Sequence, residues 1–366
     1  MTADTGAPPR PSARDTWLPF IHGLRGVAAL VVAIFHCYMT TPVTDHLARS
    51  VPSVLDGAIN LGFLGVDLFF VISGFVISLT LYGKLATTGE WGRFFLRRQL
   101  RLDPPYWTAI ILSIASALLI NRLRPETQAP VPGFTDVVAH LFYLQDFLGI
   151  KPIVGIFWTL CLEIQFYLFF GAVVLLKDRT PISARTFAWM MLPLYLLSLA
   201  CFWGLVPTLR GLFIPRWFEF FTGVVLFLRW RGLIGRTQLL AYLGSALLAM
   251  ALRVPADNEI TGVTTVTVVL IALMFLIAIE GDNMKRWLDN ALFRYFGNIS
   301  YSLYLMHAVI GIRVLKIVVR PQDSQPRVLL LYVAALLISI LASDLTFRLV
   351  ERPSMRLSHR LKWRQT

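Results

Sequence analysis

The sequence predicts an all-α, polytopic integral membrane protein with about ten transmembrane helices and a short interfacial or re-entrant helix, both termini cytoplasmic. Three observations lead there. Hydrophobic residues make up 56% of the 366, charged residues only 15%, and mean hydropathy is +0.66, well outside the range of soluble domains. Apolar runs of about 17–25 residues recur along the whole chain. Lys and Arg gather on alternate sides of those runs.

The runs lie at about 20–40, 60–82, 104–120, 157–176, 186–205, 211–229, 237–252, 262–280, 296–315 and 327–350. The stretch 134–150 is apolar but short, and it carries Asp136, His140 and Asp146. It is therefore expected at the interface or as a re-entrant helix. With the N-terminus inside, the cytoplasmic segments hold about twice the Lys and Arg of the external ones. Residues 1–16, rich in Pro, Ala, Thr and Ser, are expected to form a disordered tail, not a signal peptide. Residues 17–350 form the transmembrane domain and 351–366 a basic cytoplasmic tail, with no soluble domain expected after it.

The net charge of +13 and pI near 10.0 would suggest nucleic acid in a soluble protein. Here the basic residues flank apolar runs, so positive-inside loops account for them and nucleic acid is not an expected partner. Cys37, Cys161 and Cys201 lie inside apolar runs without paired or metal-ligand spacing, so they read as packed thiols. No metal site is expected.

Ionisable groups within the spans need a reason, because each costs a few kcal/mol in lipid. One reason is an interhelical hydrogen bond or a snorkelling side chain; the other is function. Arg25 and His36 are eleven residues apart, which returns an α-helix to within about 20° of the same face. They lie roughly 16 Å apart along that face. Asp67 in GVDLFFVISGF, Glu163 in FWTLCLEIQFY and His307 in SYSLYLMHAV reach a similar outer-to-middle depth on three other spans. Groups sharing one depth suggest one polar cavity. An imidazole beside a carboxylate there would serve as a general base.

The segment RRQLRLDPPYW, 97–107, places Arg98 and Arg101 on one face of a helical turn. They are either ordinary flanking charges or a guanidinium fork for phosphate. The following Pro104–Pro105 is expected to halt the arriving helix and open the next span.

In these blocks the chain resembles the acyltransferase-3 family of bacterial membrane acyltransferases over roughly residues 17–350. Arg25 and His36 match its Arg-x10-His signature. GVDLFFVISGF, RRQLRLDPPYW, FWTLCLEIQFY and ISYSLYLMH match its later blocks, in order. The resemblance implies transfer of an acyl group, most often acetyl, from cytosolic acyl-CoA to a sugar hydroxyl in a surface or secreted polysaccharide or its lipid-linked repeat unit. It implies His36 as base, Asp67 and Glu163 as its orienting carboxylates, and His307 as a helper or wall of the cavity. Arg25, Arg98 and Arg101 would hold CoA phosphates. Acyl-CoA is then a co-substrate, with no permanently bound cofactor. The partners implied are a glycan or lipid-linked oligosaccharide acceptor, the lipid bilayer of the bacterial cytoplasmic membrane, and polysaccharide-assembly proteins.

The sequence departs from the family pattern at His22, at Asp103 and at Ile164. Asp103 sets a negative charge beside the proposed phosphate fork. A transporter without acyl-transfer chemistry is the competing reading, since transporters also keep charges at the midplane.

Overall fold

Helix α1, Pro19–Tyr38, opens on a proline where a missing N–H leaves nothing unsatisfied. Its 20 residues are long enough to cross a bilayer. Two short helices follow, α2 (Val43–Leu47) and α3 (Ser53–Asn60), and a 3₁₀ turn leads into α4, Gly65–Leu81. The computed structural model describes residues 17–41, 43–48, 50–84, 87–123, 129–252 and 259–361; the expected tail at 1–16 lies outside them.

Helix α5, Thr88–Leu123, departs from the sequence expectation, because it runs straight through Pro104 and Pro105. Two adjacent prolines remove only the bonds to the carbonyls four residues earlier, at Leu100 and Arg101. Packed neighbours make that tolerable inside a membrane. In the same turn the Tyr301 hydroxyl donates to the neighbouring Leu102 carbonyl at 2.9 Å, which ties α5 to α13.

Helix α6, Phe134–Leu141, has eight residues, about 12 Å of rise, and is too short to cross a bilayer. His140 secures it and is completely buried. Its Nδ1 donates to the Asp136 carbonyl at 2.6 Å, and its Nε2 accepts the Ile153 N–H at 3.0 Å. Both ring nitrogens are thus used locally, and His140 reads as structural.

The chain continues with α7 (Trp158–Asp178), then α8 (Ala184–Met190) and α9 (Leu192–Phe202), which are parted only at Met191. Next come α10 (Trp217–Trp230), α11 (Arg236–Leu252), α12 (Glu259–Glu280) and α13 (Ala291–Met306). A π-helical turn, His307–Gly311, joins α13 to α14, Ile312–Val318. A second, Phe347–Glu351, joins α15, Gln325–Thr346, to α16, Arg352–Arg360. The stretch expected to be a tail from 351 is therefore helical as far as Arg360.

Helix occupies all ten expected spans, and no strand occurs among the described residues. Among them, eight helices are long and apolar enough to cross a membrane. The other two expected spans, α10 with 14 residues and α11 with 17, are shorter. Every residue of α10 from Trp217 to Leu228 is buried, so this helix, apolar nearly all round, lies in the interior of the bundle.

Small residues bring the central helices together. A Cβ on Gly74 of α4 would overlap the Phe220 carbonyl of α10, and one on Gly223 of α10 would overlap the Val71 carbonyl of α4. A Cβ on Gly26 of α1 would run into the backbone of α13 at Phe296 and Gly297. Without a hydrophobic drive between helices in lipid, such close backbone approach supplies the packing.

Candidate active site

The α1–α13 contact positions the two histidines. His36 Nδ1 and His307 Nε2 are 3.2 Å apart, and the rings stack with centroids 5.2 Å apart. His307 is fully buried, and its Nδ1 lies 3.0 Å from the Leu303 carbonyl oxygen. A carbonyl only accepts, so Nδ1 of His307 carries the hydrogen and its Nε2 is an acceptor. His36 must then donate from Nδ1, which leaves its Nε2 as the basic nitrogen. The Val32 carbonyl, one turn back on α1, also bonds His36, so His307 and Val32 together favour this tautomer. The π turn beginning at His307 fits the frequent occurrence of such turns at functional sites.

The carboxylates are arranged differently from the sequence expectation. Asp67 does not accompany His36. Its Oδ1 accepts from Arg216 Nη1 at 3.1 Å, and the same nitrogen binds Glu219 Oε1 at 2.6 Å. The Arg216 guanidinium also lies 4.9 Å from the centroid of the Phe202 ring. Asp67 is thus part of a buried clamp between α4 and α10. Shared depth fixes a height in the bilayer but not a direction around the helix, and Asp67 faces α10. Glu163 also has other partners. Its Oε1 accepts from Ser73 Oγ at 3.0 Å and from the Tyr167 hydroxyl. The position next to His36 that was expected for a carboxylate is held by His307.

Glu163 opens instead onto a cavity bounded by α1, α4, α5, α7 and α13, with about 770 Å³ of empty space when its solvent-open part is counted. Arg25, Arg98 and Arg101 all line it, so the three arginines that the family resemblance groups together do converge. Arg98 Nη2 donates to Thr80 Oγ1 near the end of α4 at 3.0 Å. Its guanidinium lies 5.7 Å and 5.5 Å from the Phe94 and Tyr167 ring centroids. Arg101 Nε is buried with no hydrogen-bond partner, a donor left for something to bind.

Asp103 does not oppose this cluster. Its Oδ1 accepts from the Tyr143 hydroxyl at 2.7 Å and its Oδ2 from Gln99 Nε2 at 3.4 Å. Tyr143 makes this reach from a left-handed backbone, φ 58°, in the turn after α6.

Other residues of the site escape sequence reading. Tyr167 lies one helical turn after Glu163, and its hydroxyl carries no signal by itself. Tyr304, three residues before His307, donates to the Ile156 carbonyl at 3.2 Å and pairs with Thr159 Oγ1 at 2.7 Å. Glu351, buried to 1% exposure, accepts from both the N–H and the hydroxyl of Ser302, and Arg101 and Arg25 act on its charge. Glu219 did have a signal: a lone acid in an apolar span, three residues after an arginine.

The chain is similar in sequence to several known proteins. A Staphylococcus aureus (strain COL) protein, SACOL0978, is 30% identical over 171 residues, 43% of this chain and 25% of that protein. The acyltransferase MdmB of Streptomyces mycarofaciens is 27% identical over 384 residues, 93% of this chain and 92% of that protein. The peptidoglycan O-acetyltransferase OatA of Listeria monocytogenes is 28% identical over 174 residues, 43% of this chain and 24% of that protein. The chain thus matches about a quarter of the length of the first and third. No solved structure matches it. The acyltransferase domain family matches residues 18–344, nearly the whole of the described bundle, and the chain belongs to that family of multi-pass membrane acyltransferases.

Proposed function

We propose that this chain transfers an acyl group, acetyl first among them, from cytosolic acyl-CoA to a hydroxyl of a sugar in a surface or secreted polysaccharide or its lipid-linked repeat unit. The bacterial cytoplasmic membrane is its proposed location. The observation that carries this reading is the cavity itself. Three arginines converge on it, and it reaches Tyr304, one turn before the histidine pair. A donor with phosphates at one end and a thioester at the other suits that polarity. The Listeria relative, a peptidoglycan O-acetyltransferase, supports a glycan as acceptor.

In the proposed reaction Arg25, Arg98 and Arg101 hold the donor phosphates. His36 Nε2 takes the proton of the acceptor hydroxyl as its oxygen bonds to the acyl carbon. The carbon–sulfur bond breaks, and the CoA thiolate recovers the proton from His36. His307 holds the tautomer throughout. Glu163, with Ser73 and Tyr167, forms the polar wall beside the donor, and Asp67 acts through the α4–α10 clamp.

The test is transfer of label from acetyl-CoA to polysaccharide in membranes with and without this chain. Label should appear only when the chain is present and vanish with His36→Ala at normal insertion. Label transfer by His36→Ala at most of the wild-type rate would overturn the reading, and solute uptake without labelling would point to a transporter.

A further inference from the structure

The cavity has two unlike ends. The arginines mark one. The other is lined by apolar and aromatic groups: Val66, Phe69 and Phe70 from α4, and Tyr304 from α13. Along α4 the lining runs from Ile77 to Val66, a rise of about 16 Å. The polar Ser73–Glu163 pair lies between. A donor gripped by its phosphates at the arginines therefore presents its acyl group to the aromatic end.

The groups there differ in freedom. Phe70 is 3% exposed and packs on Phe220 and Trp158, with centroids 4.6 Å and 6.2 Å away. Tyr304 is tied by its hydroxyl to Thr159 and Ile156. Phe69 is only partly buried, and its ring meets the edge of Tyr304 at 5.6 Å. It is the aromatic wall residue with neither deep burial nor a hydrogen bond to hold it.

We propose that Phe69, backed by Tyr304, sets the length of the acyl group this site accepts and restricts it to short chains. The inference rests on the acyl-CoA reading above and specifies its substrate. A phenyl ring at the aromatic end of the cavity takes the volume that additional methylenes would need. One methylene too many or too few in an apolar pocket changes specificity by about 10–200-fold. Removing the ring opens space for roughly four more carbons, the difference between acetyl and hexanoyl.

The experiment uses the full-length protein in nanodiscs, with two readouts for wild type, Phe69→Ala, Phe69→Leu and Tyr304→Phe. The first is binding of non-hydrolysable thioether analogues of acetyl-CoA and hexanoyl-CoA. The second is kcat/KM for acetyl-CoA and hexanoyl-CoA. Wild type should favour the acetyl forms. Phe69→Ala should raise the hexanoyl-to-acetyl ratio at least about tenfold in both readouts, and Phe69→Leu should raise it less. Tyr304→Phe keeps its ring and should leave the ratio unchanged. A ratio within about twofold of wild type in both Phe69 variants would overturn the proposal, as would an equal loss for both donors. Wild type that binds neither analogue would instead refute the acyl-CoA reading, which keeps the two failures distinct. Phe69→Leu, closer in shape, carries the test where Phe69→Ala does not fold.

Discussion

Replacing His307 by alanine should damage catalysis without touching donor binding. In the wild type, His36 Nδ1 donates to His307 Nε2 at 3.2 Å, a bond that favours the tautomer with Nε2 unprotonated. In His307→Ala the half-buried imidazole keeps only its Val32 backbone partner and loses one hydrogen bond, about 0.5–1.5 kcal/mol. At 1.36 kcal/mol per factor of ten, kcat should fall about 2–13-fold. That is less than the roughly 10²–10⁴-fold that loss of the proposed base should cost in His36→Ala. His307→Gln offers an amide oxygen to Nδ1 and should recover part of the rate. The assay is single-turnover transfer of labelled acetyl from acetyl-CoA, with donor KM measured in parallel and insertion checked by immunoblot. Full activity in His307→Ala would refute the tautomer argument. Equal losses in the alanine and glutamine variants would refute it too, because filling space would then be the whole role.

Arg216→Met strands two buried carboxylates, Asp67 and Glu219, and should destabilise the bundle by about 3–5 kcal/mol; thermal unfolding in detergent checks this, and a near-wild-type midpoint would contradict the clamp. Arg98→Ala or Arg101→Ala should raise the KM for acyl-CoA by about 10–100-fold, as expected for a lost charge-assisted hydrogen bond, while acceptor KM stays constant; kinetics against each substrate decide it. Burial lowers the pKa of His140 below its ordinary value of 6.5. The folded state therefore favours the neutral ring, and this contribution is present above about pH 6.5 and lost as pH falls through the lowered value. Protonation would remove the Nε2 lone pair that accepts the Ile153 N–H. Unfolding midpoints between pH 7 and pH 4 should drop more steeply for wild type than for His140→Phe.

The legible parts of this chain are those with a local signature. Arg25, Arg98 and Arg101 line one cavity; the pairing of Arg98 with Arg101 was legible from their spacing, and their grouping with Arg25 from the family resemblance. His36 and His307, 271 residues apart, were each conspicuous as ionisable groups in lipid. What misled was azimuth. Asp67 and His36 share a depth, yet Asp67 turns to α10 and Glu163 to Ser73 and Tyr167. The proline pair misled for another reason: local rules break the helix there, whereas packing carries α5 through Pro104 and Pro105.

By itself the sequence determined the membrane class, the ten helical segments and the residues whose charge needs a partner, because hydropathy and burial cost are properties of each segment alone. Only the tertiary structure decided who the partners are. Helix rotation is set by close glycine contacts such as Gly74 with α10 and Gly26 with α13, which depend on residues far apart in the chain. Those contacts decide that an imidazole, not a carboxylate, faces His36, and that Phe69 and Tyr304 meet in the lining of the cavity.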